Sequence, residues 1–156
     1  MTSMKLSVLL FFASALLVPA RSTATANCPW LTKGSAETAL GGTVTATAQV
    51  SESGQGFCTF SREDNPKDTL KIIVQKTALP ECPAGSLKLK GIGNEAVMCT
   101  VQRSPQESVD MIVSRVRDLH FTVTMTAHKK PANGREVSSA DSPIEQIAEQ
   151  VAGNLF

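Results

Sequence analysis

Four cysteines, an even number, limit the folds open to this chain of 156 residues. They are Cys28, Cys58, Cys82 and Cys99, and in an exported protein such a set indicates disulfides. Four cysteines allow three pairings, which the sequence leaves open, although closure of short loops favours Cys28–Cys58 with Cys82–Cys99. Structural zinc sites generally use close pairs such as C-x-x-C, so these scattered cysteines disfavour a zinc site.

A cleaved signal peptide is predicted over residues 1–26. A short segment with one lysine precedes an apolar run over 6–18, and Ala24 and Ala26 supply small residues at the −3 and −1 positions of a cleavage site. Cleavage after Ala20 is the alternative. The run is shorter than the roughly 20 apolar residues that a membrane span needs. We therefore expect this segment to be removed on export.

The mature chain is expected to be one secreted or periplasmic domain over residues 27–156, without a transmembrane span. Cys28 lies close enough to the new N-terminus to suggest a lipid anchor. However, nine residues separate the end of the apolar run from Cys28, and Thr25-Ala26-Asn27 directly precedes the cysteine. A lipid anchor depends on a sequence that the processing machinery recognises, so this spacing disfavours one.

The charge balance excludes no fold, but it disfavours two classes of partner. Removal of Lys5 and Arg21 lowers the 15 basic residues to 13, against 14 acidic residues, for a net charge of −1. A protein that neutralises phosphates normally carries a basic excess. We therefore expect no nucleic-acid partner, and no attachment to an anionic membrane surface through basic residues.

Hydrophobic periodicity predicts a short helix followed by strands. The helix spans 31–40, where Thr32 or Ser35 would be the N-cap and Gly41-Gly42 would end it. Six segments have the alternation or composition of strands: 43–50, 57–62, 70–76, 96–101, 109–116 and 119–127. The last two should form a hairpin that turns near Arg117-Asp118.

A second helix is predicted at the C-terminus, after a polar loop over 128–140. Ser142 would be its N-cap, Pro143 suits the first helical position, and Glu145 would complete a capping box. Its apolar residues form one stripe: Ile144, Ile147, Ala148, Val151 and Leu155. The order predicts an α+β fold, a single antiparallel sheet of five to six strands with an N-terminal and a C-terminal helix packed on it.

Two patterns suggest ligand sites, but neither has the context that its chemistry needs. Residues 91–96 match the G-x-G-x-x-A dinucleotide motif, yet the next residues indicate a strand, and no helix N-terminus follows to meet a pyrophosphate. A glycine turn with positive φ is favoured instead. His120 and His128 would be about 27 Å apart on one strand, too far to share a metal. We predict no cofactor, no metal site and no recognisable catalytic residue.

Two surface features have both a functional and a structural interpretation. Arg115, Arg117 and Asp118 would bind an anion or a partner's carboxylate, or else form a solvated turn with a weak ion pair, which is favoured. Trp30 would anchor an interface or pack beside the cystine of Cys28, and packing is favoured.

Five short motifs together resemble a known family. They are Cys28-Pro29-Trp30-Leu31-Thr32, Cys58-Thr59-Phe60, Gly91-Ile92-Gly93-Asn94-Glu95-Ala96, Phe121-Thr122-Val123-Thr124 and Ile147-Ala148-Glu149-Gln150-Val151-Ala152. The layout resembles an uncharacterised family of bacterial envelope lipoproteins and secreted proteins, domain of unknown function 3558. The resemblance implies a PsbP-like sandwich and a Cys28–Cys58 disulfide. It implies no catalytic residues, because the family has no established activity.

The favoured function is a non-enzymatic envelope or secreted module that binds a protein, glycan or small ligand, because no reactive constellation is recognisable. One alternative is a small secreted enzyme with an unrecognised carboxylate-based site, which predicts a concave pocket with at least two convergent titratable groups. Another is an inhibitor of secreted hydrolases that inserts residues 129–139. In each case the partner would lie in the envelope or outside the cell.

Overall fold

The computed structural model describes residues 27–78, 82, 86–104, 107–128 and 142–156. The elements are α1 (Lys33–Leu40), β1 (Val44–Val50), β2 (Gly56–Arg62), β3 (Thr69–Gln75), β4 (Leu87–Leu89), β5 (Glu95–Ser104), β6 (Glu107–Val116), β7 (Leu119–His128) and α2 (Pro143–Leu155). The strands form one antiparallel sheet in the order β1-β2-β3-β7-β6-β5-β4. The predicted α+β fold, with one antiparallel sheet and two helices, is confirmed. The predicted signal peptide and the loop over 129–139 lie outside the described residues.

The predicted strand number was too low, since the described part of the chain contains seven strands and not five or six. The strand that was missed, β4, has three residues, which is too few for alternation to be recognised. It pairs with β5 through Leu87 opposite Met98 and Leu89 opposite Ala96. Leu87 and Lys88 are exposed and only Leu89 packs against the core, so this strand depends mainly on backbone pairing with β5. The predicted loop also began one residue early, because His128 ends β7.

Both helices pack on the same face of the sheet, which we call the inner face. Helix α1 contacts β1, β2 and β3, helix α2 contacts β6 and β7, and the helices contact each other. The inner face contributes most of the buried strand residues: Val44, Phe60, Leu70, Ile72, Val74, Ile112, Val116, Phe121 and Val123. Four residues of the predicted α2 stripe, Ile144, Ile147, Ala148 and Val151, are buried against them. Burial of these apolar side chains is the main force that holds the helices on the sheet.

Two disulfides join the predicted partners, Cys28 with Cys58 and Cys82 with Cys99. The first disulfide fixes residues 27–32, which we call the N-terminal segment, to the inner face of β2, where Cys58 is fully buried. The second disulfide fixes Cys82 to the opposite, outer face of the sheet. Met98 on β5 points to the inner face, and successive side chains of a strand point to opposite faces, so Cys99 points outward. No cysteine is free. Two disulfides fit a protein of an oxidising compartment, as expected for an exported chain.

The observed helix caps agree only in part with the caps predicted from the sequence. Thr32 is the N-cap of α1, and its Oγ1 accepts a hydrogen bond from the Ser35 N–H at 3.1 Å. Gly41 ends α1 with a φ of 72°. Ser142 is the N-cap of α2, but its side chain makes no cap hydrogen bond, so the predicted capping box with Glu145 is wrong. The Glu145 N–H donates to the Ser142 carbonyl, and the proline at the first helical position has no N–H to satisfy.

The dinucleotide-like motif is a glycine turn, as the sequence favoured. Gly91 and Gly93 have φ values of 86° and 63°, and the chain then enters β5. The Asn94 N–H donates to the Arg115 carbonyl at 2.7 Å, so the turn packs against β6. A following strand leaves no helix N-terminus to receive a pyrophosphate.

Replacing Gly93 with alanine should destabilise the protein by about 2–4 kcal/mol, because a Cβ there overpacks the site and forces a left-handed backbone. An added Cβ would lie 2.5 Å from the Arg115 carbonyl oxygen and 2.8 Å from Ser114 Oγ. Gly91→Ala is the matched control, since its Cβ would meet no atom within 4 Å. It should cost about 1 kcal/mol, from the positive φ alone. Equal losses for the two variants in urea unfolding would contradict this packing.

Candidate functional site: a cavity beside β1

A cavity of about 560 Å³ lies between the N-terminal segment, β1 and β2. Its lining residues come from three separate parts of the chain: Asn27, Cys28, Leu31, Thr32, Lys33, Val44, Thr45, Ala46, Phe60 and Glu63. Pockets that bind small ligands commonly have volumes of about 300–1,000 Å³. We call this feature the β1 cavity.

The floor of the β1 cavity is apolar and well packed. Leu31, Val44 and Phe60 are buried in the hydrophobic core, and Ala46 packs against it half-buried. Cys28 contributes to one wall, and its bond to the buried Cys58 holds that wall against the sheet. A rigid, apolar floor is typical of a preformed ligand site.

The polar groups of the β1 cavity lie on exposed residues. Thr32, Lys33 and Glu63 are all exposed, so their polar atoms are accessible to a ligand that also contacts the floor. Lys33 Nζ lies 3.8 Å from Glu37 Oε1, one turn along α1. An exposed pair of this kind contributes little to stability, so a ligand would displace it at small cost.

The enzyme alternative predicted a pocket with at least two convergent titratable groups. The β1 cavity has two ionisable side chains, Lys33 and Glu63, of which one is a carboxylate. The sulfur of Cys28 is bonded to Cys58, so it provides no thiolate nucleophile. These residues offer recognition chemistry and not the carboxylate pair that a glycosidase-type site requires.

An ion cluster closes the turn between β2 and β3, next to the cavity residue Glu63. Arg62 Nε donates to Asp64 Oδ1 at 2.8 Å, and Arg62 Nη2 pairs with Asp64 Oδ2. Arg62 Nη1 lies 3.2 Å from Oδ2 of the buried Asp68. The hydrogen bond from Arg62 lowers the pKa of Asp64 below its usual value. The guanidinium is engaged by two carboxylates, so the cluster stabilises the turn.

The hairpin tip that the sequence singled out has partners within the chain. Arg115 Nε donates to Glu95 Oε1 at 2.7 Å, and Asp118 lies 3.6 Å from Lys76 Nζ. The Arg117 guanidinium carbon is 5.7 Å from the centroid of the Phe156 ring. The favoured interpretation, a solvated turn with weak ion pairs, therefore describes this cluster better than an anion site.

Glu95 should make the stability of the protein pH-dependent. The hydrogen bond from Arg115, followed by its charge, lowers the pKa of Glu95 in the folded protein. A lowered folded pKa adds stability above the unfolded pKa of about 4.3, and that stability disappears as the pH falls through the folded pKa. We expect Glu95→Gln to be less stable than the wild type at neutral pH, and the difference to vanish in acid.

Urea unfolding of both proteins at about pH 7 and about pH 2.5 measures this difference. Repeating the neutral measurement in about 1 M NaCl is the control, because salt screens an exposed ion pair. A stability difference that grows in acid would show that the carboxylate has no favourable partner in the folded protein.

The other predicted residues lie apart from the β1 cavity. His120 and His128 both lie on β7, and the described ranges contain no group of histidine, cysteine and acidic residues that could bind a metal. Trp30 is 3% exposed in the core, and Asn154 Nδ2 donates to its carbonyl at 3.0 Å. Burial favours its packing role over an interface role.

Sequence reasoning did not identify the β1 cavity, although it correctly predicted the Cys28–Cys58 disulfide, whose Cys28 lines the cavity. The cavity combines residues from the N-terminal segment, β1 and the end of β2, and no local motif links them. The available signal was the predicted Cys28–Cys58 pair, which places the N-terminal segment over two strands.

No helix in the described part of the chain combines the length and the hydropathy that a membrane-spanning helix needs.

Comparisons with known proteins found no matching family model, and no significant match among curated proteins or solved structures.

Proposed function

We propose that this chain is an exported, disulfide-stabilised binding module and that the β1 cavity is its ligand site. The observation that carries the proposal is the cavity itself, about 560 Å³ in volume, with a buried apolar floor and a wall fixed by a disulfide. An apolar cavity with a few polar groups matches the usual chemistry of ligand pockets.

The lining residues indicate an amphipathic ligand. Leu31, Val44 and Phe60 would contact an apolar group, because these side chains form the floor. Lys33 and Glu63 would bind polar or charged atoms of the same ligand from the exposed side. Binding would then come from apolar burial, and the two charges would orient the ligand.

Export and family membership belong to the same proposal. Residues 1–26, as a cleaved signal peptide, would direct the chain to an oxidising compartment, and the two disulfides are compatible with that location. We also propose that the chain is a member of the domain of unknown function 3558 family. The helix–sheet–helix order and the Cys28–Cys58 bond support this, since both agree with what the resemblance implies.

A fragment screen tests the proposed ligand site. The probes are a library of small amphipathic compounds, and two-dimensional NMR of the oxidised mature protein reports which residues they perturb. We expect the compounds that bind to shift the resonances of Val44, Ala46 and Phe60. Ala46→Leu, which places a larger side chain in the cavity, should weaken binding at least about tenfold, or about 1.4 kcal/mol.

Thr47→Leu is the matched control for Ala46→Leu. Thr47 is the next residue on β1, points to the outer face and does not line the cavity. This variant should bind the same compounds as the wild type does. Compounds that bind elsewhere, or that bind Ala46→Leu unchanged, would contradict the proposed site.

A further inference from the structure

Among the described residues, strand β1 is an edge of the sheet, with a hydrogen-bonded partner strand on one side only. At one end the Glu63 N–H donates to the Thr43 carbonyl at 3.0 Å, and at the other the Ser51 N–H donates to the Gln55 carbonyl at 2.8 Å. Opposed residues of antiparallel strands alternate between bonded and non-bonded pairs, so the odd-numbered residues of β1 bond to β2. The even-numbered residues therefore direct their N–H and C=O groups away from the sheet.

One hydrogen bond confirms this direction and shows where the free edge begins. The outward N–H of Val44 donates to Glu37 Oε1 of helix α1 at 3.5 Å. Beyond Val44, no backbone hydrogen bond within the described ranges reaches the outward groups of Ala46 or Ala48. The outward N–H and C=O groups of Ala46 and Ala48 are therefore available to form hydrogen bonds with a further strand.

The two edges of the sheet differ in how they are protected. β4, at the opposite edge, has three residues, and the exposed Lys88 and Lys90 lie in it and directly after it. Short length and lysines are common devices that prevent a sheet edge from pairing with another chain. β1 has seven residues, VTATAQV, with no charge and no proline. Its edge therefore has neither the short length nor the charged residues that protect β4.

The β1 cavity adjoins this unprotected edge. Val44, Thr45 and Ala46 all line it, although neighbouring side chains of a strand point to opposite faces. Three consecutive lining residues therefore indicate that the cavity reaches the edge of the strand as well as its inner face. A peptide paired with the edge would place alternate side chains over the cavity.

We propose that the ligand of this module is an extended peptide segment of a partner protein, which adds to β1 as a new edge strand and places an apolar side chain in the β1 cavity. This inference rests on the proposed function of the cavity. Main-chain hydrogen bonds to Ala46 and Ala48 supply affinity, and the cavity selects the side chain. The opposite side chains of the peptide lie beside Thr45 and Thr47, which favours polar or β-branched residues there.

A partner's peptide fits this edge better than a second copy of the chain. A second β1 would present its own inner-face residues, and those in the middle of the strand are Ala46 and Ala48. Their methyl groups are far too small to fill a cavity of about 560 Å³. A peptide with a large apolar residue at one alternate position fills it.

Selection from a phage-displayed library of random linear peptides, followed by hydrogen exchange measured by NMR, tests the proposal. In the free oxidised protein the amides of Thr45 and Thr47 should exchange slowly and those of Ala46 and Ala48 quickly. A selected synthetic peptide, added at about 100 times its Kd, should slow the two alanine amides up to about 100-fold.

A substitution in β1 and N-methylated forms of the peptide test the backbone contacts directly. Ala48→Pro removes an outward N–H without removing a bond to β2, so it should weaken peptide binding at least tenfold. Thr59→Val is the control, because Thr59 lies on the outer face of β2, one strand further from the peptide, and this variant should bind as the wild type does. If Ala48→Pro does not fold, N-methylation along the peptide replaces it, and only every second N-methyl group should abolish binding.

The outcomes separate this proposal from the one on which it rests. Selected peptides that bind in the cavity without slowing the amides of Ala46 and Ala48 would overturn strand addition and leave the cavity as a ligand site. Failure of both libraries to perturb the cavity residues would overturn both proposals. Slowing that appears without peptide as the protein concentration rises, with a doubled mass in sedimentation equilibrium, would identify a second copy as the occupant and overturn the peptide.

Discussion

Replacing Phe60 with alanine should lower the free energy of unfolding by about 3–5 kcal/mol. Phe60 lies on the inner face of β2, is 1% exposed, and belongs to both the core and the floor of the β1 cavity. The substitution removes a large apolar side chain from a packed site and leaves a void that its neighbours only partly fill. Urea unfolding of the oxidised protein measures the loss.

Phe57→Ala is the matched control for Phe60→Ala, three residues earlier on the same strand. Phe57 points to the outer face and is 37% exposed, and Lys71 Nζ lies 5.8 Å from its ring centroid. Loss of this exposed ring and its cation–π contact should cost only about 1 kcal/mol. If Phe57→Ala were the more damaging variant, the helices would have to cover the other face of the sheet.

Removing the Cys28–Cys58 disulfide with the double variant Cys28→Ala/Cys58→Ala should destabilise the protein by about 3.6 kcal/mol. The two cysteines are 30 residues apart in sequence. A disulfide that closes a loop of this length removes enough conformational entropy from the unfolded chain to give this magnitude. Alanine is chosen because Cys58 is fully buried, where serine would introduce a hydroxyl group that needs a partner. Unfolding at the same urea concentration as the wild type would contradict a structural role for the bond.

Cys82→Ala/Cys99→Ala is the control that separates stability from binding. Its bond joins residues 17 apart, and the same treatment gives a loss of about 3.1 kcal/mol. The two double variants should therefore be similarly destabilised. Only the first double variant should weaken the binding of fragments to the β1 cavity, because Cys28 lines that cavity and Cys82 and Cys99 do not. Equal weakening in both variants would mean that neither disulfide shapes the site specifically.

Sequence reasoning worked where a pattern repeats with the period of the element it forms. The stripe of α2 recurs at helical spacing, and its buried residues follow that spacing. In β7, Phe121, Val123 and Met125 alternate with threonines and are buried on the inner face. Closure of short loops also favoured the disulfide pairing that the structure contains.

Features that depend on several distant segments were not predictable in this way. β4 forms because β5 offers an unpaired edge, and its three residues carry no pattern of their own. The predicted capping box, by contrast, is a local feature, and it was wrong because the Ser142 backbone carbonyl, and not its side chain, accepts the hydrogen bond from the Glu145 N–H. The β1 cavity requires the N-terminal segment to pack beside β1 and β2, which is decided by tertiary packing.

A non-reducing peptide map of the purified oxidised protein tests the central claim most directly, namely that two local disulfides hold the domain and shape its cavity. Trypsin separates the four cysteines onto different peptides, because Lys33, Arg62 and Lys88 lie between them in turn. We predict two cross-linked peptide pairs, Cys28 with Cys58 and Cys82 with Cys99, which reductant releases. Four free thiols, stoichiometric zinc or any other pairing would contradict the account.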